Sequence, residues 1–221
     1  MYKIEKLEWD SDHFGISIGN LNFNEESSIK TNQYDTIFAK IETTQFDIIE
    51  KLENEKFCLK DILIIFSGEN LDGEISSNIE VLQKNKLQQV LKLCENTFLE
   101  SHFYKNKIFS KEKINKLYQK WVTNKFTLGQ QIYIFTENDE ILGFLLEKKD
   151  KNEVFIDLIA VKKEKRGQKI GEKLIKFFIK KNKDKKMFVG TQITNKQAIR
   201  LYERLGFRFE KTINIYHKNK E

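Results

Sequence analysis

From Val154 to Gly171 the chain reads VFIDLIAVKKEKRGQKIG: an apolar run rich in β-branched residues, a basic loop, and two glycines opening a helix. No other stretch constrains the fold as much. A short apolar run bounded by polar residues reads as a buried strand over Val154 to Val161, and the spacing that follows reads as a helix over Ile170 to Lys181. The first N–H groups of a helix lack intrahelical partners, and the aligned peptide dipoles add partial positive charge there. A strand that delivers its end to such a helix is suited to hold a pyrophosphate. Arg166, Gly167, Gln168, Lys169, Ile170 and Gly171 make the expected cradle. Gly167 and Gly171 leave the backbone open to an anion, while Arg166 and Lys169 add cations. Between Lys162 and Lys186 there are twelve Lys or Arg against three Asp or Glu. For the lysines from Lys173 onward, a solvated helix face explains the charge as well as ligand contact does.

The pattern Q/R-x-x-G-x-G/A after a strand resembles the acetyl-CoA signature of the GNAT superfamily of N-acetyltransferases, with Arg166 at its first position and Gly171 at its last. Lys169 replaces the middle glycine, a departure that the motif accommodates with a negative φ at residue 169. A second stretch, GTQITNKQAIRLYERLGF from Gly190 to Phe207, matches the N-x-x-A-x-x-L-Y-x-x-x-G-F spacing through Asn195, Ala198, Leu201, Tyr202, Gly206 and Phe207. Three further stretches, LEWDSDHFG from Leu7, SHFYKNKIFSKEKINKLYQKW from Ser101 and TQITNKQAIRLYERLGF from Thr191, resemble the TDP-fucosamine acetyltransferases and related nucleotide-amino-sugar N-acyltransferases.

The resemblance implies an α/β (α+β) GNAT fold, a mixed and mostly antiparallel sheet flanked by helices, preceded by a smaller α/β domain. It further implies acetyl-CoA or another acyl-CoA as donor, with the backbone of Ile159, Ala160 and Val161 holding the thioester carbonyl and the pantetheine. Tyr202 would be the general acid, and Asn195 and Arg204 would contact the cofactor. The acceptor would be a TDP-linked amino-dideoxy sugar for surface polysaccharide such as lipopolysaccharide O-antigen. Trp9 and Asp10 share in the resemblance, although a loop-anchoring Trp with a turn Asp explains them equally well. A homodimer is expected from the resemblance alone.

Composition narrows the alternatives. The net charge of +6 hides an asymmetry: residues 1 to 80 hold seven Lys or Arg and seventeen Asp or Glu, so the basic half is the one with the glycine motif. A polyanionic cofactor and a diphosphate-linked substrate account for that balance without nucleic acid. The start, MYKIEKLEWD, has no apolar core of a signal peptide, and no run approaches the ~18 to 20 apolar residues of a membrane span. The chain is therefore expected in the cytoplasm, without membrane insertion. Cys58 and Cys94 read as reduced thiols, and His13, His102 and His217 lack metal-ligand spacing, so no metal is expected.

Proline is absent, and elements are placed by periodicity, glycine and polar caps. Tyr2 to Leu7 and Ile16 to Leu21 read as strands around a Trp9 to Phe14 loop, Thr36 to Ile41 as a strand, Phe46 to Lys56 as a helix and Phe57 to Phe66 as a strand. Ser67 to Ser77 reads as a linker, which divides the chain into a small domain over 1–78 and an acyl-CoA-binding domain over 79–221. Val81 to Phe98 and Lys111 to Trp121 read as helical, with the loop His102, Phe103 and Tyr104 between them suited to stack on a base or sugar. Gln131 to Thr136 and Ile141 to Glu147 read as a hairpin, Met187 to Gln192 as a strand and Asn195 to Leu205 as a helix. Phe207 to Phe209 with Thr212 to His217 reads as a final hairpin. Setting Phe57 against Phe207 aligns Ile49 with Ile199, Glu53 with Glu203 and Ile65 with Ile215, so the first half reads either as a worn half-copy of the second, with Leu52 where Tyr202 stands, or as a chance likeness between two amphipathic helix-strand units.

Acyl transfer to an amine needs alignment, stabilisation of the developing oxyanion, and a proton for the departing thiolate. A phenol with a pKa near ~10 is protonated at neutral pH and can supply that proton. No general base stands out among His102, Glu147 and His217. The alternatives are an acetyltransferase for a protein N-terminus or small amine, and a non-catalytic acyl-CoA-binding module.

Overall fold

The computed structural model describes residues 3–23 and 33–220. It is an α/β protein with a mixed sheet flanked by helices. Strands are β1 Lys3–Lys6, β2 Ile18–Asn22, β3 Thr36–Glu42, β4 Cys58–Gly68, β5 Ile79–Val81, β6 Ile132–Glu137, β7 Glu140–Asp150, β8 Glu153–Val161, β9 Lys186–Gln192 and β10 Arg208–Asn219. Helices are α1 Glu8–Phe14, α2 Phe46–Asn54, α3 Leu87–Cys94, α4 Lys111–Thr127, α5 Ile170–Lys181 and α6 Lys196–Arg204. No helix is long and apolar enough to cross a membrane among the described residues.

The chain forms two compact units, each assembled from separated stretches. The first comprises Met1–Ile64, Glu100–Ile114 and Lys211–Glu221; the second comprises Ile65–Leu99 and Asn115–Glu210. In the first, β1 pairs antiparallel with β2, β2 parallel with β3, and β3 antiparallel with β10. Because side chains alternate along a strand, Ile37, Ala39 and Ile41 share one face and pack with Leu21, Leu52, Phe57 and Tyr216. The opposite face carries Thr36, Phe38 and Lys40, in register with Asn219, His217 and Ile215.

In the second unit β5, β6, β7 and β8 form an antiparallel run and β9 joins β8 in parallel. The β6–β7 hairpin closes on Asn138 and Asp139, with φ of 50° and 62°, the double left-handed turn that a two-residue hairpin requires. Helix α5 buries Leu174, Ile175, Phe178 and Ile179. The stretch expected as a linker is tightly held: a Cβ on Gly73 would lie 2.3 Å from the Lys180 backbone nitrogen, and Glu74 N–H donates to the Lys176 carbonyl at 3.1 Å.

The βαβ plan occurs twice at a spacing of 150 residues. Thr36–Glu42, Phe46–Asn54 and Cys58–Gly68 correspond to Lys186–Gln192, Lys196–Arg204 and Arg208–Asn219. Local hydrogen bonds follow the same spacing: Phe57 N–H reaches Leu52 O at 2.9 Å, and Phe207 N–H reaches Tyr202 O at 3.0 Å. Both helices end in a left-handed residue, Lys56 in the first copy and Gly206 in the second.

Several expectations are corrected. Residues 9–14 are helical rather than a loop, because Glu8 and Asp10 lie in the first turn and Gly15, at φ 67°, closes the last. The expected closing hairpin is the single strand β10, since Glu210 and Lys211 supply no residue suited to a tight turn. Ile79–Val81 pairs with β6 and the helix behind it runs only over Leu87–Cys94, while β4 continues through Gly68. The expected first strand includes Tyr2, which lies outside the described residues.

Candidate functional site

The parallel pair at the centre of the second unit is in register only from Glu153 to Ile156 against Lys186 to Val189, although β8 continues to Val161 and β9 to Gln192. The strands therefore part company over their last residues. Ile159, Ala160 and Val161 remain paired to β7 on their other side, opposite Leu145, Phe144 and Gly143. Along their second edge they do not pair with β9.

At the end of β8 the chain passes through a single 3-10 turn, Lys163–Lys165, and reaches Arg166, whose Nε–H donates to the Val161 carbonyl at 3.3 Å. None of the backbone N–H groups from Gly167 through Glu172 donates to a described protein atom; the first bond of the helix is Lys173 N–H to Lys169 O at 2.9 Å. No side chain caps α5. A Cβ on Gly171 would only touch Val161 and Leu201, each at 3.7 Å, so the protein alone does not require glycine there. A row of free donors beside a missing Cβ fits a pyrophosphate. Lys169, however, has φ of 60°, so the negative value expected for it is corrected: it holds the left-handed conformation that glycine adopts without steric cost.

Helix α6, which carries Tyr202, lies beside the start of α5, since Leu201 would be 3.7 Å from a Cβ on Gly171. Tyr202 is 3% exposed, between Phe66 and Phe207, and its hydroxyl has no partner among the described residues. Burial pushes its pKa above the ordinary phenol value, which keeps the proton on oxygen. Asn195 caps α6, its Oδ1 accepting from Ala198 N–H at 3.2 Å, and its amide N–H groups have no partner among the described residues. Arg204 is mostly exposed and pairs with Glu172 in the first turn of α5 at 3.0 Å.

The remaining candidates apart from Glu147 lie in the first unit. Trp9 and Asp10 lie on α1, and His102, Phe103 and Tyr104 lie in a one-turn 3-10 helix. Phe103 is core: it packs with Phe14, Phe38 and Phe109 and does not offer a free face for stacking. Trp9 is partly exposed and lies parallel to the His13 ring. His102 Nδ1 lies 2.9 Å from His217 Nε2. Lys40 and Asn106, which complete this polar set, escaped the sequence analysis. The one signal for Lys40 was a lone cation within the apolar strand TIFAKIE. Glu147 is a structural node, buried with Tyr133, Asn182 and Lys149 around it. No group of three or more acidic, His or Cys side chains suited to a metal occurs among the described residues.

Residues 94–207 match the model of the Acetyltransferase (GNAT) family. The chain is 30% identical to the spore coat polysaccharide biosynthesis protein SpsD of Bacillus subtilis over 134 residues, 59% of this chain and 46% of that protein. It is 38% identical to N-alpha-acetyltransferase 30 of Dictyostelium discoideum over 87 residues, 36% of this chain and 47% of that one. The chain thus spans about half the length of the curated relatives it matches. A conserved protein of unknown function from Staphylococcus epidermidis has a similar fold, with a TM-score of 0.65 and 12% identity over 93% of this chain and 85% of that one.

Proposed function

The chain belongs to the acetyltransferase (GNAT) family, and we propose that it transfers an acyl group from acyl-CoA to the amine of a TDP-linked amino-dideoxy sugar. The unpartnered hydroxyl of Tyr202 supports this reading, because a buried phenol that keeps its proton can supply it to a leaving group. Acyl-CoA, the family's donor, supplies an activated thioester. The free N–H groups from Gly167 to Glu172, with Arg166 and Lys169, hold its pyrophosphate, and the open edge of Ile159 to Val161 orients its pantetheine. As the acceptor nitrogen bonds to the thioester carbon and the C–S bond breaks, Tyr202 would give its proton to sulfur, while the nitrogen loses a proton to water and solvent returns one to the phenol. Burial keeps Tyr202 protonated for that task through the neutral and mildly alkaline range.

The sugar acceptor is supported by the polysaccharide-biosynthesis name of SpsD and by the motifs near Trp9 and His102. We assign donor binding to residues 79–221 and derive residues 1–78 from a duplicated half-domain, in which Leu52 occupies the place of Tyr202 and no reactive phenol survives. We place the reaction in the cytoplasm. A second reading, acetylation of a protein N-terminus, is favoured by the likeness to N-alpha-acetyltransferase 30.

Thiol release from acetyl-CoA, and then from a hydroxyacyl-CoA, against a panel of TDP-amino sugars and N-terminal peptides separates the two. Release with a sugar is expected; release with peptides alone selects the second reading. Tyr202→Phe is expected to keep acyl-CoA affinity and lose kcat by about 10²-fold or more. Unchanged kcat removes Tyr202 from the chemistry.

A further inference from the structure

On the β3–β10 face of the first unit, hydrogen bonds form a chain that runs one way. The backbone N–H of Ile108 donates to Asn106 Oδ1 at 3.3 Å, which fixes the oxygen end of that amide. Asn219 Nδ2 donates to the same oxygen at 3.0 Å. Asn106 Nδ2 must then donate, to Asn219 Oδ1 and to His217 Nδ1, each at 2.9 Å. His217 Nδ1 accepts, so the proton of that ring is on Nε2, from which it is donated to His102 Nδ1 at 2.9 Å. His102 in turn carries its own proton on Nε2, an atom with no partner among the described residues. Phe38 supports both rings, with centroids 4.3 Å from His217 and 5.4 Å from His102.

The cluster therefore presents a donor where a general base would need a lone pair. Reversing the chain would require Asn106 to turn its amide against the Ile108 N–H. Charging the imidazoles is opposed as well: burial lowers the pKa of His102, with His217, Lys40 and Lys105 adding to the effect, and burial lowers that of His217, with Lys60 and Lys40 adding. Lys40 lies on the same sheet face and forms no ion pair with a described residue; packing around its ammonium lowers its pKa and the Asp10 carboxylate raises it. Its charged neighbour is Asp10, whose carboxyl burial raises and Lys40 lowers.

We propose that His102 Nε2–H and the Lys40 ammonium form an anion site that takes a phosphate oxygen of the acceptor nucleotide, and that His102 is a fixed donor rather than the base. The identification of the anion rests on the nucleotide-sugar reading; the donor set does not. Asp10, the acceptor beside this pair, is left for a ligand hydroxyl.

Imidazole ¹H–¹⁵N NMR of the full chain, with His102 assigned through His102→Gln, tests it directly. Both His102 and His217 are expected as neutral Nε2–H tautomers, and a Nδ1–H tautomer at His102 overturns the proposal. Titration with TDP, and separately with CoA, distinguishes the two sources of phosphate. A His102 shift with TDP alone is expected, while a shift with CoA alone, or with neither, overturns the assignment. Lys40→Gln is expected to weaken TDP by about tenfold, Lys40→Arg to restore it, and Asp10→Asn to bind at least as tightly. The opposite order, with Asp10→Asn weakest, marks a cation site and overturns the proposal. Turnover of a TDP-amino sugar with the same KM in Lys40→Gln removes this site and leaves the nucleotide-sugar reading standing. A TDP shift at His102 without sugar turnover does the reverse.

Discussion

Lys169 shows how one side chain serves two opposed demands. At φ 60° it sits where an L-residue costs about 1–2 kcal/mol relative to right-handed backbone, yet it places a cation beside the free N–H row. Replacing it with glycine removes the strain and adds freedom to the unfolded chain, which returns about 0.4–1 kcal/mol of the gain. Lys169→Gly is therefore expected to raise stability by about 0.5–1 kcal/mol, measured by urea unfolding, while its acyl-CoA affinity falls and becomes less sensitive to salt. Equal stability would place the strain elsewhere. At this scale Tyr202 and Asn195 were singled out by one short motif of fixed spacing. The His102, Asn106, His217 and Lys40 set was not, because strand register brings together residues up to 177 positions apart.

Helix α6 is the element on which the candidate chemistry depends, and its start is secured by a side chain. Asn195→Ala removes the bond to Ala198 N–H and is expected to cost about 1 kcal/mol. The corresponding residue in the first copy, Gln45, makes no side-chain cap, so Gln45→Ala should be nearly neutral in the same denaturant series. Similar losses at both sites would mean that the cap bond contributes little. Long amphipathic helices and the β6–β7 hairpin were visible from periodicity and turn residues. The short helix α1 was not, because seven residues carry too few turns for a period to show and the deciding signal was the left-handed Gly15. The unbroken run of β10 was hidden by the charged pair Glu210 and Lys211, which looks like a turn but lacks the residues that make one.

At the scale of the whole molecule, the paired histidines set an acid limit. His217 is pushed down to about 3 and His102 well below its ordinary value, mainly by burial, whereas both protonate near ~6.5 in the unfolded chain. Below that pH the unfolded state binds more protons, so this contribution is complete above about 6.5 and lost as pH falls toward the folded values, at up to about 1.4 kcal/mol per pH unit for each ring. Thermal unfolding should thus weaken between pH 6.5 and 5, before most carboxylates titrate, and His217→Gln should flatten that limb; an identical slope would show that the rings stay charged in the fold. The pairing of β3 with β10 reaches further. A ribosome finishes Thr36–Glu42 long before it makes Lys211–Asn219, so β3 waits with one strand edge bare while the intervening residues are made. Such an edge invites association with other chains. The later strand is what closes it, so β3 completes its pairing only after β10 has been made.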